Sequence, residues 1–204
     1  MSTLTEPKVA SALERMYSAS QAQMAEIRSS GGPFADLAHD ASAQERADAL
    51  SDYYLPVTPE AGRLLYSLVR ATRPQTVVEF GMSLGLSGIH LAAAVRDNGS
   101  GRVVTTELSA AKIVTATRNF EEAGLADVVT VLEGDALETL KELYIPILEL
   151  LEPRLTPGTL VVADNTSMPE LQPYLDYVRD PANGYVSVNF LARDSDSMEL
   201  SCRV

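Results

Sequence analysis

Short runs rich in β-branched residues alternate with stretches at helical spacing over the middle of this chain, and that alternation restricts its fold more than anything else. The runs at 76–80, 103–106, 128–132 and 158–163 read as strands, and helical stretches at about 86–96 and 109–123 join the first three. Strands joined by crossover helices must lie parallel, so the fold class is α/β, a doubly wound, mostly parallel sheet with helices on both faces. A helix at about 169–179 follows, and 185–191 and 198–203 can pair as a C-terminal antiparallel hairpin. One interval breaks the pattern. From Asp135 to Leu155 there is room for a helix or two and no strand, so either the sheet is one strand short or a segment near Leu140-Lys141 is absent.

Extra helices precede this core. Val9, Leu13, Met16, Met24 and Ile27 fall at helical spacing between Pro7 and Gly31-Gly32, giving a long amphipathic helix suited to covering the sheet or pairing with a second copy as a homodimer. Residues 34–54 read as two short helices, the second capped by Ser42 or Asp40. Thr58-Pro59-Glu60 opens another, running to about Ala71. The division expected is 1–55 as a helical cap, lid or dimerisation segment and 56–204 as the principal domain.

Charge narrows the partners. Sixteen Lys plus Arg against 28 Asp plus Glu give the 204 residues a formal charge of −12, whose field repels phosphate backbones and anionic lipid. Nucleic acid and membrane surfaces are therefore not expected as partners, and no apolar run approaches the about 18 residues of a bilayer span. The opening Met1-Ser2-Thr3-Leu4-Thr5-Glu6 has no basic n-region, which reads as a cytoplasmic chain. Cys202 is the one cysteine and reads as a strand residue, and His90, among Leu91, Ala92 and Ala93, as a packed helix residue.

The run Glu79-Phe80-Gly81-Met82-Ser83-Leu84-Gly85-Leu86-Ser87 lies between a strand and a helix, where glycines let a ligand approach the backbone and the helix offers unpaired N–H groups. Its G-x-x-x-G spacing is not the dinucleotide fingerprint, and an acidic residue just before the loop suits a ligand carrying positive charge rather than a diphosphate. A ligand-free structural turn is the plain alternative. Glu107 ends the second strand about 20 residues beyond the loop, where a carboxylate can accept both hydroxyls of a ribose. Gly134-Asp135 falls at the same sheet edge after the third strand, with Asp135 equally suited to capping the next helix.

With those motifs in order, 56–165 resembles the catechol O-methyltransferase group of class I S-adenosylmethionine-dependent methyltransferases, which have a Rossmann-like fold. The resemblance also takes in Lys141-Glu142-Leu143-Tyr144-Ile145-Pro146 and Val161-Val162-Ala163-Asp164-Asn165. It implies that Glu79, Gly81, Ser83, Gly85 and Ser87 hold the methionine part of S-adenosylmethionine under Val57, that Glu107 takes the ribose, and that Gly134, Asp135 and Ala136 border the adenine. It further implies Asp164 and Asn165 as oxygen ligands to Mg²⁺, which suits adjacent hard donors, and Lys141 as general base. A strand-ending turn and a solvated helix-opening lysine are the ordinary readings of those two features.

The implied activity is methyl transfer to a hydroxyl of a small molecule, a phenol, catechol or sugar, with His39 and Asp194 as candidate acceptor contacts. Asp194 sits in a hairpin turn and reads equally as solvated. The chain departs from the family where it passes from Leu140 straight to Lys141, because the family has there a strand ending in a third metal-ligating aspartate. A cofactor-binding protein without turnover and an NAD-dependent dehydrogenase are the competing functions, the second disfavoured by the glycine spacing.

Overall fold

A computed structural model describes residues 2–30, 41–134, 144–193 and 196–204. The expectations for His39, Asp135, Ala136, Lys141 and Asp194, and for a short helix within 34–40, lie outside the described residues. The chain forms two compact units, Met1–Glu138 and Thr139–Val204.

The first unit runs α1 (Pro7–Ser30), α2 (Ala43–Ala49), α3 (Pro59–Thr72), β1 (Thr76–Phe80), α4 (Leu86–Asn98), β2 (Arg102–Glu107), α5 (Ala110–Ala123) and β3 (Val129–Glu133). Local signals set these boundaries as expected. Ser42 and Glu45 form a reciprocal capping box at α2, Thr58 accepts the Ala61 N–H at α3, and α4 and α5 both end on left-handed glycines, Gly99 and Gly124. The three strands pair in parallel in the order β1-β2-β3, with Phe80 opposite Thr106 and Glu107 opposite Glu133. This register brings the ends of all three strands, and hence the loops that follow them, to one edge.

One face of this sheet, carrying Val77, Val103, Val129 and Val131, packs against Ile89 and Val95 of α4 and Ala116 and Phe120 of α5. The other face presents Val78, Phe80 and Leu132, which are 49%, 41% and 48% exposed. Among the described residues of this unit, α4 and α5 cover the first of these faces. Helix α1 buries Val9, Ala12 and Met16 in the same core but lies against α5 and α4, so it covers the helices and not the sheet. At the α3–α4 contact a Cβ on Gly62 would stand 2.4 Å from the His90 ring, so only glycine permits that approach. His90 is buried as its sequence setting suggests. Its Nε2 meets the Tyr17 hydroxyl at 3.2 Å, and burial pulls its pKa down to about 4.

The second unit contains α6 (Tyr144–Leu151), β4 (Leu160–Ala163), α7 (Gln172–Arg179), β5 (Tyr185–Arg193) and β6 (Asp196–Arg203). Its sheet is antiparallel in the order β4-β6-β5, the hairpin pairing as expected and Ala163 standing opposite Glu199. Leu148, Ala163, Tyr174, Leu175, Val178 and Tyr185 form its core. Cys202 is a residue of β6 with a free thiol.

The α/β class and its Rossmann-like parallel half with a C-terminal antiparallel hairpin are as the sequence suggested. Among the described residues, however, β1 pairs only with β2 and β4 only with β6, so the strands form two three-stranded sheets, each with an open edge at the strand named first. The sequence ran short of a strand between these two groups, and Leu140-Lys141 itself lies outside the described residues.

Candidate active site

The loop from β1 to α4 is unusual in its backbone. Gly81, Ser83 and Gly85 all have positive φ, at 78°, 51° and 93°, so three residues in five are left-handed. The loop is tied down from its own sheet: the Gly81 and Met82 amides both donate to the Thr106 carbonyl at 3.1 Å, and the Gly85 amide donates to the Met82 carbonyl at 2.9 Å. A Cβ at Gly85 would come within 3.0 Å of Phe120 Cζ, and one at Gly88 within 2.8 Å, so α4 starts pressed against α5. Gly85 is the N-cap of α4 and supplies no side-chain acceptor, and its first turn holds no acidic residue. The positive end of this helix is thus not neutralised by its own sequence.

Two carboxylates flank the loop. Glu107, 4% exposed at the end of β2, accepts three backbone N–H groups: Leu108 and Ser109 at 3.0 Å each on Oε1, and Ser83 at 2.9 Å on Oε2. Glu79, on β1, accepts the Thr105 hydroxyl at 2.6 Å and a hydrogen bond from Ser87. Loss of water pushes the Glu79 carboxyl up in pKa, the nearby Glu107 charge adds to that, and the two hydroxyl hydrogen bonds oppose it. The Gly134 amide donates to the Glu107 carbonyl at 3.1 Å, bringing the end of β3 beside the end of β2.

A strap crosses the loop from the N-terminal side. Gln23 of α1 bonds the Asp52 carbonyl at 2.7 Å and the Tyr54 amide at 2.9 Å, and the Leu55 amide then donates to Ser83 Oγ at 3.3 Å. Tyr54, Leu55, Pro56, Met82, Ser83, Leu84, Leu86 and Ser87 line a small cavity there, and Val57, half-buried, is next along the strap. The sequence offered no sign that α1 reaches this strap. Gln23 is a single polar residue on a helix, with no motif around it.

In the second unit Asp164 and Asn165 end β4 as expected. Asn165 is left-handed at φ 58°, its amide donates to Asp164 Oδ1 at 2.9 Å, and the Tyr144 hydroxyl donates to the Asp164 carbonyl at 2.9 Å. Tyr144 also stacks edge-on against Tyr174, and burial, with the Asp164 charge, holds its hydroxyl well above the usual phenol range in pKa. Below the turn, Thr166 bonds Ser197 through both backbone and side chain. No group of three or more His, Cys, Asp or Glu suited to a metal occurs among the described residues. Two adjacent oxygen donors are nonetheless the donor type that Mg²⁺ uses, since it keeps most of its waters.

Comparison with known proteins bears out the resemblance read from these motifs. Residues 78–146 match a family model described as a methyltransferase domain. The chain is 28% identical over 177 residues to catechol O-methyltransferase B of Danio rerio, covering 74% of this chain and 66% of that protein. It is 28% identical over 130 residues to a catechol O-methyltransferase of Niastella koreensis, covering 54% of this chain and 58% of that one. The chain thus spans less than two thirds of the length of these curated relatives. Among solved structures, the O-methyltransferase from Bacillus cereus in complex with SAH superposes with a TM-score of 0.62 at 22% identity, over 83% of this chain and 94% of that one, a likeness of fold.

Proposed function

We propose that this chain is an S-adenosylmethionine-dependent O-methyltransferase acting on a hydroxyl of a small molecule, with 56–204 as the catalytic domain and 1–55 as a cap. The observation that carries the reading is the pair Glu79 and Glu107 on either side of a left-handed loop whose glycine spacing is not the dinucleotide fingerprint. A sulfonium compound with an ammonium group calls for such an acidic pocket, whereas a dinucleotide would be repelled by it.

In this reading Glu79, Gly81, Ser83, Gly85 and Ser87 hold the methionine part of the donor. Val57 closes over it on the strap that Gln23 steadies. Glu107, fixed by three amides over its two oxygens, takes the ribose through the lone pair that remains. Gly134, Asp135 and Ala136 border the adenine. Asp164 and Asn165 would hold Mg²⁺, which when bound lowers the pKa of a coordinated hydroxyl. Lys141 takes the acceptor's proton, and His39 and Asp194 contact the acceptor. The acceptor oxygen attacks the methyl carbon, a C–O bond forms as the C–S bond breaks, and an ether and S-adenosylhomocysteine leave. Placement and fixed charge supply most of the acceleration in such an in-line transfer. A phenol, catechol or sugar hydroxyl all meet this chemistry.

Incubation with S-adenosylmethionine labelled in the methyl group tests the reading, against a catechol and a sugar acceptor, with and without magnesium. Label in the acceptor, lost in Glu107→Gln and reduced in Lys141→Met, is the expected result. S-adenosylhomocysteine binding with no label transferred to either acceptor would favour a cofactor-binding protein without turnover.

A further inference from the structure

Lys112 is a buried cation that the reaction above does not use. It is 3% exposed, in the first turn of α5. Its position is unfavourable twice over, because burial removes the ammonium's water and the N-terminal turn of a helix disfavours positive charge. That turn contains no acidic residue to offset it. A side chain needed only for its volume would serve better there as methionine.

Its surroundings account for the cost. The Lys112 ammonium donates to Ser83 Oγ at 3.4 Å, and its charge is drawn to Glu107, which opposes the effect of burial on its pKa. Ser83 in turn donates its amide to Glu107 Oε2 and accepts the Leu55 amide on Oγ. Ser83 is the non-glycine residue of the loop held at positive φ, so the groups that fix it are Glu107 on one side and Lys112 and the strap on the other. The charged groups gathered here are Glu79 from β1, Glu107 from β2 and Lys112 from α5.

We infer that Lys112 is a positioning residue of the donor pocket: it holds Ser83 and Glu107 in place and sets the pocket's net charge, so that the neutral product is not bound far more weakly than the cationic donor. The inference rests on the methyltransferase reading. The two ligands differ in one charge at sulfur. A fixed positive charge beside the pocket weakens the sulfonium donor relative to the thioether product, whereas a change in packing alone weakens both together.

Calorimetric titration of wild type, Lys112→Met and Lys112→Arg with S-adenosylmethionine and with S-adenosylhomocysteine separates these effects. Loss of the charge should weaken both ligands through the loosened loop and lower the ratio Kd(donor)/Kd(product) by about fivefold, with Lys112→Arg keeping the wild-type ratio. An unchanged ratio in Lys112→Met would overturn the inference while leaving the methyltransferase reading intact. If neither ligand binds wild type, both fall. Should Lys112→Met fail to fold, Lys112→Gln removes the same charge and reads the same ratio.

Discussion

Glu107 and Glu199 are both almost wholly buried at 4% and 0% exposure, and the two units satisfy them in opposite ways. In the second unit Arg179 grips Glu199 with two charged hydrogen bonds, at 2.9 and 2.7 Å, and Asn189 adds a third at 2.9 Å. The carboxylate is closed off, and Arg179 lowers its pKa against the effect of burial. In the first unit Glu107 receives three neutral amides, and the nearest cation reaches it only through space and through Ser83. Each carboxylate accepts three hydrogen bonds over its two oxygens, so what differs is charge: Arg179 neutralises Glu199, whereas neutral amides leave the Glu107 charge to meet a ligand. The ion pair of the second unit holds a sheet together, and the amide-held carboxylate of the first stays ready.

Mutations at the two sites should therefore fail differently. Removing one partner of the closed pair leaves an uncompensated buried charge, so Arg179→Met should cost about 3 kcal/mol in urea unfolding, the largest stability loss of the set. A loss below about 1 kcal/mol would mean that Glu199 is less enclosed than its contacts indicate. Glu107→Gln should reverse the balance, lowering S-adenosylhomocysteine affinity by about thirtyfold while unfolding shifts by less, because glutamine keeps an acceptor oxygen for two of the three amides but loses the charge that the ligand meets. Equal losses of stability and binding at Glu107 would erase the distinction.

Two smaller effects sharpen the picture of the first unit. Gly85→Ala places a Cβ at φ 93° and 3.0 Å from Phe120, so a loss of about 2 kcal/mol is expected in urea unfolding, together with weakened binding. His90 makes the first unit acid-sensitive. Its pKa, about 4 when folded, lies below the ordinary 6.5, so its neutral form is the one the fold accommodates. Stability is fully present above pH 6.5 and falls as pH drops from 6.5 towards 4. Unfolding curves across that interval should flatten in His90→Phe, and an unaltered slope would assign the acid loss to other groups.

Much of the first unit could be read from sequence because its signals are local. The strand at Thr76–Phe80 matched to the residue, since β-branched side chains and the glycines after it mark both ends. The loop and Glu107 were legible through spacing alone, because a strand end fixes where its next side chain emerges. Gln23, Lys112 and the split of the sheet were not. The first two act through contacts across long sequence separations, and a lysine in a polar helix turn reads as solvated until its burial is known. The shortfall of a strand registered as a count, yet only pairing shows that, among the described residues, β1 and β4 each keep an open edge.

The most direct test of the central claim is calorimetric titration of the folded wild-type chain with S-adenosylhomocysteine, its intact mass first checked against the 204-residue sequence. The expected result is saturable one-to-one binding that Glu107→Gln weakens and Arg179→Met, measured where it remains folded, does not. Absence of binding to the folded protein, or equal weakening by both variants, would contradict it.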